Sequence, residues 1–223
     1  MPAERATLGA DAGRPVLEAL IAAVHDNTAY LSALDGATGD GDHGVNMNKG
    51  FTRAGQVLGA GDASLARALS VLGQTLLTEV GGAMGPLYGS FFLDMAATAG
   101  VEPTVTGETF GKMLAAGLAA VLDVGEAKVG DKTLLDALVP AEAAFRAAQE
   151  AGGSFAGGLK AMADAAAAGA ESTRDMIARV GRASRLGERS RGNIDAGATS
   201  CALILGAFAS SIATQLQASE RAE

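Results

Sequence analysis

Cysteine is almost missing from this chain. Cys201 is the single one in 223 residues, so no disulfide can form within the chain; it lies in an apolar run, where a buried inert thiol is its natural role. That usage fits a reducing, cytoplasmic compartment. Tryptophan is absent and aromatics reach only 4%, so the core is expected to rest mainly on Ala, Leu, Val, Ile and Met. Two histidines and one cysteine are too few soft ligands to suggest a zinc site. Positive charge is also short. The net charge of -8 and the pI near 4.8 argue against nucleic acid or an anionic membrane as the main partner. A phosphate ligand would have to be drawn in by a metal or by local donors, against the field of the whole molecule.

The opening "MPAERATLGADAGRP" has no basic region followed by an apolar one, so no signal peptide is expected. The uncharged stretch 196–219 includes Gln215, Gln217 and several Ser and Thr, and only about 15 of its residues are densely apolar. That falls short of the roughly 20 needed to span a bilayer, so it reads as a buried central helix.

What the chain has in abundance is apolar residues at helical spacing, in a composition that is 48% hydrophobic. Pro15 opens a first helix whose stripe of Val16, Leu17, Leu20, Ile21 and Val24 runs to about Leu34. Further helices are expected over 45–58, from a Ser64 cap to about Val80, from Pro86 to about Ala99, and from a Thr106 cap to about Leu122. The last three cover 133–151, then 155 to about 180 with a kink near Gly169, then a helix starting near Asp195. No segment alternates with period two. The expected fold is all-α: one domain, 1–223, a barrel or bundle of about eight antiparallel helices.

Chemistry gathers in glycine-rich loops. The first, "LDGATGDGDHGVNMNKGF", sets Asp35, Asp40 and Asp42 within eight residues, with His43 beside them. Two carboxylates about 4 Å apart repel by about 1 kcal/mol in water and about 4 kcal/mol at an effective dielectric of 20. A hard divalent cation reverses that sign, and all-oxygen ligation fits Mg²⁺. The plain alternative is a solvated turn whose Asp side chains cap N–H groups. An EF-hand is excluded because the closing Glu and the required Gly are missing. His43 suits a metal ligand, a phosphate donor or a surface cap. "GEAKVGDKT" resembles a P-loop, but Asp131 separates the second glycine from Lys132 and no strand precedes it. The stretch 181–192 carries Arg182, Arg185, Arg189 and Arg191, a basic cluster suited to phosphate oxygens or to pairing with Glu188. These loops and "VGGAMGPLYGS" each precede a helix start, where unpaired N–H groups favour anions. In an up-and-down arrangement, loops one helix apart face opposite ends, so the sequence alone does not bring all four together.

Taken jointly, "LDGATGDGDHGVNMNKGF", "GGAMGPLYGSFF", "GEAKVGDKTLLDALVPA" and "GRASRLGERSRGNIDAGATS" resemble the nucleotide-binding L subunit, or L domain, of dihydroxyacetone kinases, in family order across residues 34–200. The resemblance implies a barrel of eight antiparallel helices with nucleotide at one end. It implies that Asp35, Asp40 and Asp42 hold two Mg²⁺ ions bridging the phosphates of ADP or ATP. His43, Gly44, Val45 and Asn46 would contact nucleotide at the next helix start, and Ala83 and Met84 would lie on the phosphate side. Gly125 and Leu134 would flank base and ribose, and Arg182 with the Asp195-Ala196-Gly197 turn would complete the site. Two positions depart from the pattern: Met84 stands where many relatives have Ser, and Ala196 where they have Pro, which leaves that turn less rigid.

The implied reaction is phosphoryl transfer to dihydroxyacetone, or alternatively to another short ketose, held on a separate K subunit, and no catalytic side chain is assigned on this chain. The resemblance leaves two donors open: exchanging ATP, or resident ADP recharged by a phosphocarrier protein of the sugar phosphotransferase system. The second is preferred. A non-enzymatic module reporting nucleotide state, or a carrier of apolar ligands, is the rival from another class.

Overall fold

The computed structural model describes residues 7–9, 11–100 and 104–222. Parts of the N-terminal stretch (1–6 and 10) and of the 100–107 loop (101–103) lie outside the described residues. Among the described residues there are nine α-helices: α1 Gly13–Asp26, α2 Thr28–Thr38, α3 His43–Leu58, α4 Leu65–Glu79, α5 Met84–Ala99, α6 Gly107–Val124, α7 Leu135–Glu150, α8 Phe155–Ser172 and α9 Ala196–Ala222. Two short 3-10 segments, Thr173–Asp175 and Arg182–Ser190, lie between α8 and α9.

Hydroxyl caps explain three of the starts. Ser64 Oγ accepts from Arg67 N at 3.2 Å, Thr106 Oγ1 from Thr109 N at 3.1 Å and Ser154 Oγ from Gly157 N at 3.0 Å, opening α4, α6 and α8.

Two expected helices are corrected. The first does not run unbroken to Leu34 but divides at Asn27. There the Asn27 side-chain amide donates to the Ala23 carbonyl at 2.9 Å, and the Thr28 hydroxyl donates to the Val24 and His25 carbonyls at 3.1 and 2.8 Å. These side chains take acceptors that would otherwise continue the ladder. Its second half, α2, runs on to Thr38, so Asp35 stands in a helical turn and not in the loop. The seventh expected helix stops at Ser172 and not near Val180, because the Ser172 and Thr173 hydroxyls donate to the Gly169 and Ala170 carbonyls at 2.7 and 2.6 Å. Gly169 is no kink. It is where α8 meets α7: a Cβ there would lie 2.2 Å from the Asp136 carbonyl oxygen.

Sequence neighbours pack on one another from α3 through to α9, and α9 closes the ring against α1 and α2, which pack on α3. The result is a closed barrel of antiparallel helices. Its interior is Ala- and Leu-rich, as composition suggested, but all seven phenylalanines are buried as well. Phe91 and Phe51 meet Phe92, Phe92 meets Phe208, and Phe208 leads through Phe110 to Phe145 and Phe155. This run of rings ties α3 to α5, α6, α7, α8 and α9 across the core. The stretch 196–219 is long and apolar enough to cross a membrane, with a mean hydropathy of 1.6, but 56% of its most apolar window is buried against neighbouring helices.

Gly169→Ala should therefore force α7 and α8 apart and lower stability by about 1–3 kcal/mol, read from urea unfolding at neutral pH. A midpoint equal to wild type would mean that the close approach is not needed.

Candidate functional site

Because α1 and α2 together make one pass, the four glycine-rich loops follow every second pass and emerge at the same end of the barrel. Here α2, α4, α6 and α8 end, and α3, α5, α7 and α9 begin. The two ends differ in how they treat helix starts. At the far end Ser64, Thr106 and Ser154 cap α4, α6 and α8 while α1 has no side-chain cap; at this end Asp195 caps α9 and Thr133 accepts from Leu135 N at the start of α7, but the N-cap residues Asp42 and Ala83 give α3 and α5 none. Backbone N–H groups in a first turn have no intrahelical acceptor, so this end offers donors and a positive dipole potential to an anion.

The three aspartates stand in front of those starts. Asp35, Asp40 and Asp42 each present a carboxylate oxygen, and these atoms lie within 4.8 Å of one another. Asp35 is partly buried and its Oδ2 accepts from His43 N at 3.3 Å, while Asp40 and Asp42 are exposed. Donors that are all carboxylate oxygen, from the last turn of α2 and the loop after it, with no thiolate or imidazole among them, fit a hard divalent cation such as Mg²⁺. Arg182 reaches over from the α8–α9 connection and ion-pairs with Asp40.

His43 is buried. Its Nε2 shares a hydrogen bond of 2.9 Å with the Ser200 hydroxyl, which also meets Tyr88 Oη at 2.7 Å and donates to the Gly197 carbonyl at 3.1 Å. Burial pulls the His43 pKa below its ordinary value, against the opposing charge of Asp35, so the imidazole is neutral at pH 7. This network joins α3, α5 and α9 beneath the aspartates. It makes His43 a buried anchor, not a surface cap.

Of the other expected residues, Val45 is exposed on the first turn of α3 and Asn46 is half-buried beside it. Gly44 is buried against α2, where a Cβ would lie 2.0 Å from the Thr28 carbonyl oxygen; helix contact alone accounts for this glycine. Ala83 is exposed and Met84 is half-buried at the start of α5, with the Met84 side chain against the core. Gly125 and Leu134 bracket the α6–α7 connection; the Leu134 side chain belongs to the core. Asp195 caps α9 by accepting from Ala198 N at 2.7 Å, and Ala196 and Gly197 form its first turn.

Several residues of this end escaped sequence reading. Tyr88 and Ser200 are 112 residues apart and carry no local signal. Thr133 and Asp136 did carry one, the three-residue spacing of a capping box. Asp136 Oδ2 accepts from Thr133 N at 2.7 Å, its Oδ1 from Gly130 N at 2.5 Å, and Thr133 Oγ1 from Leu135 N at 3.2 Å. Lys132, in the loop rejected as a P-loop, is buried with its ammonium turned onto backbone carbonyls.

A family model described as the DAK2 domain matches residues 37–210. The chain belongs to the DAK2 domain family. It is 43% identical over 172 residues, 77% of this chain and 82% of the relative, to the PEP-dependent dihydroxyacetone kinase, ADP-binding subunit DhaL, of Escherichia coli (strain K12). It is 38% identical to the PTS-dependent dihydroxyacetone kinase, ADP-binding subunit DhaL, of Lactococcus lactis subsp. lactis (strain IL1403), over 81% of this chain and 86% of that one. The crystal structure of the dihydroxyacetone kinase from C. freundii in complex with AMP-PNP and Mg2+ aligns with a TM-score of 0.64 at 28% identity, over 89% of this chain; the chain spans only 33% of that kinase.

Asp195 supplies a pH prediction. Burial raises its carboxyl from 3.8 to about 6, against the hydrogen bond from Ala198 and the charge of Lys132. The folded chain thus holds this proton more tightly than the unfolded chain, so its contribution is full below about 4 and is lost as pH rises through about 6. The loss is up to about 3 kcal/mol. Asp195→Asn should flatten the slope of unfolding free energy between pH 4 and pH 6.5 in metal-free buffer. An unchanged slope would clear Asp195 of that role.

Proposed function

We propose that this chain, as one nucleotide-binding domain over 1–223, is the phosphotransfer subunit of a dihydroxyacetone kinase. It works in the cytoplasm against a separate K-type subunit that holds dihydroxyacetone. The observation that carries this is the triad Asp35, Asp40 and Asp42, with ligand atoms within 4.8 Å, beside the starts of α3 and α5, which lack side-chain caps.

In this reading the three aspartates hold Mg²⁺, two ions in all, against the phosphates of an adenine nucleotide. Bound there, Mg²⁺ would neutralise charge developing on the phosphoryl oxygens during transfer. The chain's own residues bind and orient. The first turn of α3, His43 to Asn46, and the start of α5, Ala83 and Met84, face the phosphates, and in α3 the N–H groups of Gly44 and Val45 are the donors, since His43 N meets Asp35 and Asn46 N the Asp42 carbonyl. A Ser hydroxyl is missing at Met84, so backbone donors serve there. Gly125 and Leu134 border the base and ribose, and the Asp195-Ala196-Gly197 turn supports the site from α9. Arg182, ion-paired with Asp40, would be placed to meet a phosphate oxygen if cations held the carboxylates. Neutral His43 holds the α3 start to α9 through Ser200. No side chain of this chain acts as acid or base; the acceptor hydroxyl belongs to the K subunit's site.

ADP is proposed to remain bound and to be rephosphorylated by a phosphocarrier protein of the phosphotransferase system. Support comes from the relatives at 37–43% identity, whose names specify PEP- or PTS-dependent kinases and an ADP-binding subunit. The erythrulose kinases match at 32–36% identity, and this chain spans about a third of each.

The chain should be purified without added nucleotide, denatured, and the released small molecules identified. Stoichiometric ADP surviving dialysis with Mg²⁺ is expected. An empty protein that binds ATP only with Mg²⁺ would replace the resident cofactor by an exchanging donor, and one that binds neither nucleotide would overturn the kinase reading. Asp40→Asn should weaken Mg²⁺-dependent nucleotide binding at least about ten-fold, about 1.4 kcal/mol, by calorimetry. Equal affinity would remove Asp40 from the cation site.

A further inference from the structure

Lys132 is a charged side chain that this mechanism leaves without a task. It is 3% exposed, and it is the one non-glycine residue among those described with a left-handed backbone, at φ 65°. A bulky side chain in that region is strained, and such strain persists only where the surroundings enforce it. Its Nζ donates to the carbonyls of Asn193 at 2.6 Å, Ser190 at 2.7 Å and Met176 at 3.2 Å. All three ammonium hydrogens are therefore engaged, and every acceptor is a neutral backbone oxygen. Burying an ammonium on neutral acceptors is an expensive way to gain stability, since an apolar side chain of similar volume does as well or better. The arrangement is better suited to fixing one position of the chain.

The three carbonyls come from both arms of the α8–α9 connection. Met176 lies on the outgoing arm, Ser190 and Asn193 on the returning one. The neighbouring residue holds the same arm: the Asp131 carbonyl accepts from Arg179 N at 3.1 Å. Within the connection, Ala178 N donates to Ser190 Oγ at 2.9 Å and Gly192 N to the Arg174 carbonyl at 2.8 Å, so the two arms form a neck. Beyond the neck is the tip, 181–189, with Arg182 against Asp40. The tip makes little contact with the barrel apart from α2, so its position follows from the neck.

We propose that Lys132 is a positioning residue: it clamps both arms of the 173–195 connection and thereby sets Arg182 over the Asp35–Asp40–Asp42 cluster. The ligand-binding consequence rests on the nucleotide reading above; the clamp itself does not.

The test uses the full chain as Lys132→Met, which keeps the stem and removes the donors, together with Arg182→Ala, the double variant, and Leu69→Ala as a general destabilisation control in α4. Without nucleotide, hydrogen exchange over 181–189 should quicken about ten-fold or more in Lys132→Met, and no more than elsewhere in Leu69→Ala. With Mg²⁺ and ADP, Lys132→Met should weaken binding about ten-fold, and the double variant should bind no worse than Arg182→Ala. Unchanged exchange over 181–189 would overturn the clamp. Multiplying losses in the double variant would overturn action through Arg182. Absence of ADP binding by the wild type would sink the nucleotide reading while leaving the exchange result to decide the clamp. If Lys132→Met does not fold, Lys132→Arg serves in its place, since a planar fork cannot meet three converging carbonyls and the same exchange change is expected.

Discussion

Backbone N–H groups at a helix start need an acceptor, and this barrel supplies them unevenly. At one end Ser64, Thr106 and Ser154 close the starts of α4, α6 and α8. At the other, Asp42 and Ala83 before α3 and α5 provide no side-chain cap. The starts of α3 and α5 keep first-turn N–H groups of the kind that suit acceptor oxygens. Loop composition follows the same division: the aspartate triad, the basic 181–192 stretch and the Asp195 turn all lie at the open end.

Local structure also overrides global charge there. The molecule carries -8, so its general field opposes a nucleotide. Three carboxylates at the entrance add to that opposition unless a cation bridges them. In the proposed reading a bridging cation would turn the same carboxylates into a means of holding phosphate, with the starts of α3 and α5 and Arg182 acting in the same direction. The pairing of Arg182 with Asp40 is the arrangement of these charges among themselves.

Below the open end the barrel is built for close approach. Small residues let helices come within backbone contact, as Gly169 does on α7 and Gly44 on α2. The seven phenylalanines fill the volume that these small residues leave. A core of this kind holds α3, α5, α7 and α9 in fixed relation, and the His43–Ser200–Tyr88 network carries that fixity up to the first turn of α3.

Apolar spacing and cap residues in the sequence determined that the chain is helical and where most helices start, and its glycine-rich loops were visible as four separate clusters. Ser64 and Thr106 are legible because a cap acts within three residues of itself. The break at Asn27 and the early end of α8 were not legible, because side chains there compete for backbone carbonyls, and which competitor wins depends on what else those side chains meet; Thr173 also accepts from Asp195 N, 22 residues on. The aspartate triad was visible as a cluster along the chain. Only the closed ring brought it to the same end as Arg182 and the Asp195 turn. The buried roles of Lys132, Tyr88 and Ser200 belong wholly to the tertiary structure, since their partners lie 44 to 157 residues away and a hydrogen bond over that distance leaves no periodicity to read.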